Sequence, residues 1–365
     1  MDFLSSFRNA ELTKVLIERI HKETKLPWKI MEICGGQTHA IMQYGIDQLL
    51  PPEIELVHGP GCPVCVTPLE LIEQAIYIAS QPGVIFASFG DMLRVPGINQ
   101  DLLSVRAAGA DVRVVYSPLD AVKIAQQNPN NQIVFFGVGF ETTVPAIGMS
   151  ILHAFREKIN NFSIIPANVL VPPAMHAILG TPDCLINGFL AAGHVCAIMG
   201  YGQYGPIAKK YHCPIVVTGF DPLDLVNGIY MTVKQLEEGK YHVENAYSRV
   251  VTREGNQKAQ AIINEVFELT DRQWRGIGLI SESGLTLQKN FASFNAMERF
   301  PRHSTPILES FVCIAGKVLQ GLAKPIDCPA FRRECTPSTP LGAPMVSSEG
   351  TCAAYYRYQR LGIND

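Results

Sequence analysis

The chain has 365 residues, of which 47% are apolar and 17% charged, and its net charge is −3. At about 150 residues per domain, this length allows two or three domains. No basic run stands out, so the chain lacks the positive surface of a nucleic-acid-binding protein. The first residues lack the apolar stretch of a signal peptide, and the longest uncharged stretch, 184–208, contains His194 and several glycines. We therefore expect a cytoplasmic protein without a membrane span.

Apolar runs alternate with helical patterns along most of the chain. The strand-like runs are KIMEI, GVIFASF, VRVVYS, QIVFFG, VCAIMG and PIVVTGF. Such alternation predicts parallel sheets, and Ser117 and Asp221, each followed by proline, are predicted helix N-caps. The predicted fold class is α/β, with two similar parallel-sheet lobes around a cleft over residues 25–125 and 126–240. The last third changes character and predicts a third domain over 241–365, with 1–24 as a candidate addition.

The stretch HGPGCPVCVTPLE contains a close cysteine pair, Cys62 and Cys65. Thr67 and Glu70 flank Pro68 in a predicted capping box, which places the pair just before a helix. The partial positive charge at a helix start favours a thiolate, and the C-x-x-C spacing allows a disulfide. Half of a zinc site and a structural turn with two buried thiols are the alternatives.

Cys34 follows the predicted strand KIMEI and precedes two glycines in MEICGGQTHA. Glycines let a backbone approach a ligand closely, and Thr38 can cap the following helix. This setting favours a ligand or nucleophile over a buried, inert thiol. His39 either contributes to the same site or is simply packed and hydrogen-bonded.

Other polar residues also gather near the carboxyl ends of predicted strands, where ligands bind in open α/β sheets. Asp91 follows one strand, and Glu141 and Thr142 follow another. The alternative for the latter pair is that Thr142 or Thr143 begins a helix and Glu141 lies on the surface. His194 is expected just before the strand VCAIMG, where an ordinary core histidine is the alternative.

Four cysteines in the last 53 residues have the spacing C-x14-C-x6-C-x16-C. They are Cys313, Cys328, Cys335 and Cys352. Four thiolates typically hold an iron–sulfur cluster, and the glycines and prolines between these four suit a loop-rich cage. Tetrahedral zinc uses the same ligands, and scattered buried thiols are the remaining alternative.

Many stretches together, in order from about residue 5 to the end, resemble the HypD family of hydrogenase maturation proteins. They are ICGGQTH, HGPGCPVCVTP, FGDMLRVPG, GVGFETTVPA, GHVCAIMG, VVTGFDPLD, YSRVVTREGN, WRGIGLI, SGLTL and MVSSEGTCAAYYRY. The resemblance implies two α/β domains around a cleft and a third domain with a [4Fe-4S] cluster. It also implies that the chain and the small chaperone HypC form the scaffold on which the Fe(CN)2(CO) group of [NiFe]-hydrogenase is assembled.

The partners implied by the resemblance extend beyond HypC. HypE would supply the cyanide ligands, fed by HypF, and the hydrogenase large-subunit precursor would be an indirect partner. Cys34 would bind the iron that carries CO and cyanide, and Cys62 and Cys65 would be a redox-active pair. Further catalytic candidates in the family's characteristic stretches are His39, Asp91, Glu141, Thr142 and His194.

The tail departs from the pattern that the resemblance predicts. Pro344 stands where a cysteine is expected, and Ala315 stands where many relatives are expected to have another. Cys328, Cys335 and Cys352 would then need Cys313 or a non-cysteine group to complete the cluster. If electrons pass from the cluster to Cys34 by way of Cys62 and Cys65, the pair should lie between the other two sites.

Two functions of other classes stay open at this point. One is a stand-alone iron–sulfur thiol-disulfide oxidoreductase that acts on small disulfides. The other is a zinc-stabilised binding module without redox chemistry.

Overall fold

The computed structural model describes residues 9–302 and 312–359, which form two parallel sheets and a hairpin. The strands are β1 (Trp28–Glu32), β2 (Ile54–His58), β3 (Val84–Ser88), β4 (Asp111–Val114), β5 (Gln132–Gly139), β6 (Phe162–Asn168), β7 (Gly188–Ala192), β8 (Ile215–Thr218), β9 (Val243–Asn245), β10 (Phe267–Trp274) and β11 (Gly278–Leu287). The first sheet has the order β2-β1-β7-β8-β9, and the second has the order β4-β3-β5-β6. Every strand pair in both is parallel, whereas β10 and β11 pair antiparallel. The predicted α/β class with parallel sheets is confirmed.

Helices connect these strands and cover the sheets. They are α1 (Ala10–Glu23), α2 (Gly35–Tyr44), α3 (Pro63–Val66), α4 (Leu69–Ala79), α5 (Leu102–Ala107), α6 (Pro118–Gln127), α7 (Val144–Arg156), α8 (Val171–Leu179), α9 (Gly193–Met199), α10 (Tyr204–Tyr211), α11 (Pro222–Glu237), α12 (Gln257–Val266), α13 (Ala296–Arg299), α14 (Ala315–Leu319) and α15 (Thr351–Tyr358). Short 3-10 helices cover Ile46–Gln48, Gly90–Arg94, Lys289–Phe294, Pro325–Asp327 and Ala343–Met345. No helix in the described ranges is long and apolar enough to cross a membrane.

The strands of the first sheet come from distant parts of the chain. β1 and β2 come from the predicted lobe 25–125, β7 and β8 from the predicted lobe 126–240, and β9 from beyond it. The second sheet likewise takes β3 and β4 from one predicted lobe and β5 and β6 from the other. The sheets therefore do not follow the contiguous boundaries expected from sequence. A buried apolar run shows that a strand exists, but not which sheet it joins.

Both parallel sheets are buried on two faces. In the first sheet, Met31 and Phe189 belong to one apolar core, while their chain neighbours Ile30 and Leu190 belong to another. This follows from the alternation of side chains along a strand. In the second sheet every residue of β3 and β6 is buried, as expected when helices cover both faces.

One predicted strand is a helix. VCAIMG lies in α9, and the strand of this region is the preceding stretch GFLAA, which is β7. A short apolar run has no periodicity that separates a strand from a buried helix, which explains the error. The correction moves His194 from the start of a strand to the carboxyl end of one.

The described part of the tail, 312–359, contains short helices and turns rather than a parallel sheet. Its longest helix, α15, packs against α2 and against the 3-10 helix Ala343–Met345. Met42 of α2 and Ala354 and Tyr355 of α15 form a small apolar cluster. The tail is therefore attached to the helix that follows Cys34.

Candidate functional site

Cys34 lies where three segments of backbone meet. It follows β1 and is the N-cap residue of α2, and the amide of Gly35 donates a hydrogen bond to the carbonyl of Gly61 at 2.9 Å. A side chain at Gly61 would clash with the backbone of Cys34, and one at Gly35 would clash with Glu349 in the tail. Only glycine at these two positions allows such close approach.

The thiol of Cys34 is buried, with 1% of the residue exposed, and lies 3.6 Å from Nδ1 of His194. Burial raises the pKa of Cys34 far above its usual range, and the carboxyl groups of Glu32 and Glu349 raise it further. Burial lowers the pKa of His194 to about 4. The ring of His194 packs against Phe220 at 5.3 Å between centroids. The free protein therefore presents a neutral thiol beside a neutral imidazole, a pair suited to a soft metal ion once the thiol loses its proton.

Cys62 and Cys65 are joined by a disulfide, with their Cα atoms 5.2 Å apart. Both are buried, and the Cys62 sulfur accepts a hydrogen bond from the Cys65 amide at 3.2 Å. Cys62 is the N-cap of the one-turn helix α3, and Pro63 begins that helix. The pair can therefore form a disulfide, as its spacing predicts.

The predicted capping box at Thr67 is wrong. α4 begins at Leu69, its N-cap residue is Pro68, and no side chain caps it. Thr67 instead ends α3, and its hydroxyl donates to the carbonyl of Pro63 at 2.8 Å. The C-x-x-C motif thus forms its own helical turn, and an extended residue separates that turn from α4.

The disulfide turn contacts both the Cys34 segment and the tail. Gly61, which lies against the Cys34 backbone, directly precedes Cys62. α3 also contacts the 3-10 helix Ala343–Met345, which lines the pocket of the tail cysteines. The tail contacts the Cys34 segment directly as well, through Glu349 beside Gly35.

The four tail cysteines line one small pocket together with Pro344. Burial raises the pKa of Cys352, and the thiols of Cys313, Cys335 and Cys328 raise it further. The amide of Leu341 donates to the Cys335 sulfur at 3.4 Å. No three His, Cys, Asp or Glu side chains in residues 9–302 and 312–359 converge to hold a single metal ion. Four thiols around one pocket fit the ligand number of an iron–sulfur cluster, which they would hold as thiolates.

His39 and Asp91 lie where the tail meets the rest of the chain. Nδ1 of His39 is 3.0 Å from the carbonyl of Ser348, and its Nε2 is 3.1 Å from the Tyr358 hydroxyl. A carboxylate oxygen of Asp91 lies 3.7 Å from a guanidinium nitrogen of Arg94, and Asp91 lines a pocket with residues of the tail. Partial burial and Asp91 raise the pKa of Glu349 and His39 lowers it, so the charge of this acid interacts with both predicted residues.

Glu141 is buried, so the alternative that places it on the surface is wrong. Only 1% of the residue is exposed, and its Oε1 accepts a hydrogen bond from the Val171 amide at 2.9 Å. Burial raises its pKa to about 7. It lines a separate pocket of about 650 Å³ between α8 and the β10–β11 hairpin. Thr142 is half-buried, and Thr143 is the N-cap residue of α7.

Several residues around Cys34 were not predicted from the sequence. They are Glu32, His58, Phe220, Glu349 and Tyr355. Glu32 and His58 each end a strand, which is the signal that could have found them. Tyr355 and Glu349 carry no such local signal, because only the folded chain brings the tail to Cys34.

The fold and these thiols define a class of protein. It is an α/β protein with a buried cysteine at the end of a parallel strand and a disulfide beside it. Four cysteines line a pocket in the tail, which contacts the disulfide turn. The sequence model of the HypD family, described as "Hydrogenase formation hypA family", matches residues 11–359.

Curated relatives agree with this match over nearly their whole length. The chain is 45% identical over 369 residues to the hydrogenase maturation factor HypD of Azotobacter vinelandii, covering 99% of the chain and 97% of the relative. It is 44% identical over 368 residues to HypD of Escherichia coli strain K12, covering 99% of each. HypD of Rhodobacter capsulatus is 44% identical over 370 residues, with 98% of each covered. The chain therefore belongs to the HypD family of hydrogenase maturation factors.

Proposed function

We propose that this chain is a scaffold on which the Fe(CN)2(CO) group of [NiFe]-hydrogenase is assembled. The observation that carries the proposal is the Cys34 site in a chain of this family: a single thiol at a junction of three segments, 3.6 Å from a neutral histidine. Iron that carries CO and cyanide favours soft thiolate ligands. In this proposal the iron is cargo, bound at Cys34 while its other ligands are added.

Cys34 offers one thiolate, so the iron needs ligands from elsewhere. We propose that HypC supplies one of them and that the two chains form a complex around the iron. HypE, fed by HypF, would deliver cyanide to that complex, and the hydrogenase large-subunit precursor would receive the group indirectly. His194 beside the thiol would stay neutral, because burial lowers its pKa to about 4, so the proton that Cys34 releases when iron binds would pass to solvent.

We propose a redox role for Cys62 and Cys65. Opening their disulfide to two thiols takes up two electrons and two protons, and closing it releases them. Gly61 directly precedes Cys62 and lies against the Cys34 backbone, which supports a role of this pair beside the proposed iron-binding loop. Replacing both cysteines by alanine is expected to abolish or slow cyanide transfer, and unchanged transfer would contradict the redox role.

Cys313, Cys328, Cys335 and Cys352 are the residues that would hold a [4Fe-4S] cluster. Such a cluster supplies low-potential electron transfer when it is bound. Pro344 lines the same pocket, so Cys313 is the available thiol for the fourth ligand. The Leu341 amide that donates to the Cys335 sulfur would stabilise the thiolate.

The test is anaerobic co-purification with HypC, followed by infrared spectroscopy of the complex. The proposal predicts bands of metal-bound CO and cyanide in the unaltered complex and their loss in Cys34→Ser. Cys184→Ser is the matched control, because Cys184 lies outside the three thiol sites. Absence of the bands from a well-formed, iron-loaded complex would overturn the scaffold role.

A further inference from the structure

A buried carboxylate lies beneath the Cys34 loop. Glu32, the last residue of β1, is 1% exposed. It accepts hydrogen bonds from the Cys34 amide at 2.7 Å, from the Thr38 hydroxyl and from Nδ1 of His58 at 2.7 Å. Glu32 and His58 are register neighbours at the ends of β1 and β2, so the parallel pairing itself brings them together.

The hydrogen bonds continue from His58 to the tail. Nε2 of His58 is 3.2 Å from the hydroxyl of Tyr355, and the two rings meet edge to face at 5.4 Å. Nδ1–H of His58 donates to the Glu32 carboxylate, which leaves Nε2 as the partner of the Tyr355 hydroxyl. Only 4% of His58 and 4% of Tyr355 is exposed, so neither group has water to replace its partner.

Each member of this chain of hydrogen bonds is close in sequence to a different thiol site. Glu32 lies two residues before Cys34, His58 four residues before Cys62, and Tyr355 three residues after Cys352. A second contact joins the segments of Glu32 and His58, because the amide of Gly59 donates to the backbone carbonyl of Glu32 at 2.8 Å. The three thiol-bearing segments are thus joined through one buried network.

We propose that Glu32, His58 and Tyr355 are positioning residues that hold the Cys34 loop in fixed relation to the disulfide turn and to the helix that carries Cys352. The inference rests on the proposed function in one respect, namely that these three thiol sites work together. The three residues act through backbone and loop geometry. They fix where the Cys34 thiol lies.

A network that only adds stability would protect all buried cysteines equally, and this difference is the basis of the test. Cys213 is as buried as Cys34, with 1% exposed, and follows α10; its thiol donates to the Pro214 carbonyl at 3.9 Å rather than to a member of the network. The test measures N-ethylmaleimide labelling of Cys34 and Cys213 in the same native, full-length molecules by mass spectrometry. The ratio of the two rates reports local loosening at Cys34, whereas global unfolding raises both rates together.

Tyr355→Phe removes one hydroxyl and keeps the ring. Because one hydrogen bond stabilises by about 1 kcal/mol, the Cys34-to-Cys213 labelling ratio is expected to rise about fivefold. Tyr230→Phe is the matched control, since the Tyr230 hydroxyl also donates one hydrogen bond, to Glu23 at 3.1 Å, and Tyr230 is distant in sequence from both cysteines. The control is expected to leave the ratio unchanged.

Two substitutions at His58 separate its two hydrogen bonds. His58→Asn keeps a donor near the Nδ1 position and is expected to match Tyr355→Phe, whereas His58→Ala loses both bonds and is expected to raise the ratio further. A ratio in Tyr355→Phe and His58→Asn equal to that of the Tyr230→Phe control would overturn the network. Labelling needs neither iron nor partner, so this outcome is distinct from missing infrared bands, which would overturn the proposed function.

Discussion

The two cysteine-bearing regions of this protein are built in opposite ways. Cys34, Cys62 and Cys65 lie just beyond the ends of β1 and β2, in loops fixed by paired strands and close backbone contacts. The four tail cysteines lie in turns and short helices around a small pocket. Paired strands hold the first region, whereas the second has little regular structure to hold its ligands in place.

The fold itself organises the region of Cys34, Cys62 and Cys65, whereas a bound ligand would have to organise the tail region. A buried network and glycine contacts fix the strand-end thiols without any bound group. In the tail, burial raises the pKa of Cys352 and its three neighbouring thiols raise it further, so ionised thiols would repel one another there. A bound metal centre would remove that repulsion, and its binding energy would then contribute to the folding of the tail.

The largest expected effect is on the tail. Cys335→Ser should reduce bound iron and sulfide from about four each per chain to near zero, because one of four thiolate ligands is lost. Hydrogen exchange of residues 312–359 should become much faster, while β3 keeps its protection. Iron and sulfide analysis with hydrogen exchange measures both, and Cys184→Ser is the control. Full cluster content in Cys335→Ser, or equal loss of protection in β3, would contradict the proposed difference between the tail and the strand-end region.

The next effect concerns the buried acid Glu141, whose pKa of about 7 lies above the ordinary value of 4.5. Between these values the folded state keeps a proton that the unfolded state has released. The free energy of unfolding should therefore fall as pH rises from 4.5 to 7, by about 3 kcal/mol, and then level off. Glu141→Gln should flatten this fall and be the more stable protein at pH 8.

Urea unfolding across pH 4.5 to 8 measures this dependence. Glu157→Gln, at an exposed position, is the control and should leave the pH profile unchanged. A profile of Glu141→Gln that parallels the unaltered protein would show that Glu141 is not the group responsible.

A third prediction concerns the contact between Gly61 and Cys34. Gly61→Ala introduces a methyl group against backbone that cannot move aside, which should lower the free energy of unfolding by about 1 to 3 kcal/mol. Gly202→Ala is the matched control, because open space surrounds that position. Urea unfolding measures the stability of both variants. Equal stability would show that the contact between Gly61 and Cys34 does not hold the strand-end region tightly.

The smallest expected effect is at Thr67. Thr67→Val removes its bond to the Pro63 carbonyl and should lower the free energy of unfolding by about 1 kcal/mol. Glu70→Gln should change it little, since Glu70 is exposed and does not cap α4. A larger loss in Glu70→Gln than in Thr67→Val would restore the capping box and change how the disulfide turn joins its helix.

Local patterns were enough to predict some parts of the fold and the site. Cys34 with its two glycines and the C-x-x-C pair were identified because glycine and cysteine spacing have direct geometric consequences. Ser117 was predicted as an N-cap, and its hydroxyl does accept from the Leu119 amide. The strands PIVVTGF and QIVFFG correspond to β8 and β5, since buried parallel strands are continuous apolar runs.

The remaining features depend on pairing over long distances. Glu32 and His58 meet only because β1 pairs with β2 in one register, and Tyr355 joins them from 297 residues further along than His58. Thr67 matched a capping pattern, but its hydroxyl donates to the Pro63 carbonyl instead of capping α4. Neither strand register nor such competition can be read from residue spacing alone.

The interleaving of the two sheets also has a consequence for synthesis on the ribosome. β1 and β2 emerge early, but their neighbour β7, and with it His194, follows β2 only after about 130 residues. At about 5 to 20 residues per second, the Cys34 segment waits roughly 7 to 26 seconds for that neighbour. During this interval the nascent chain carries three accessible thiols beside an unpaired strand edge. Reductants and chaperones therefore meet these cysteines before the finished fold encloses them.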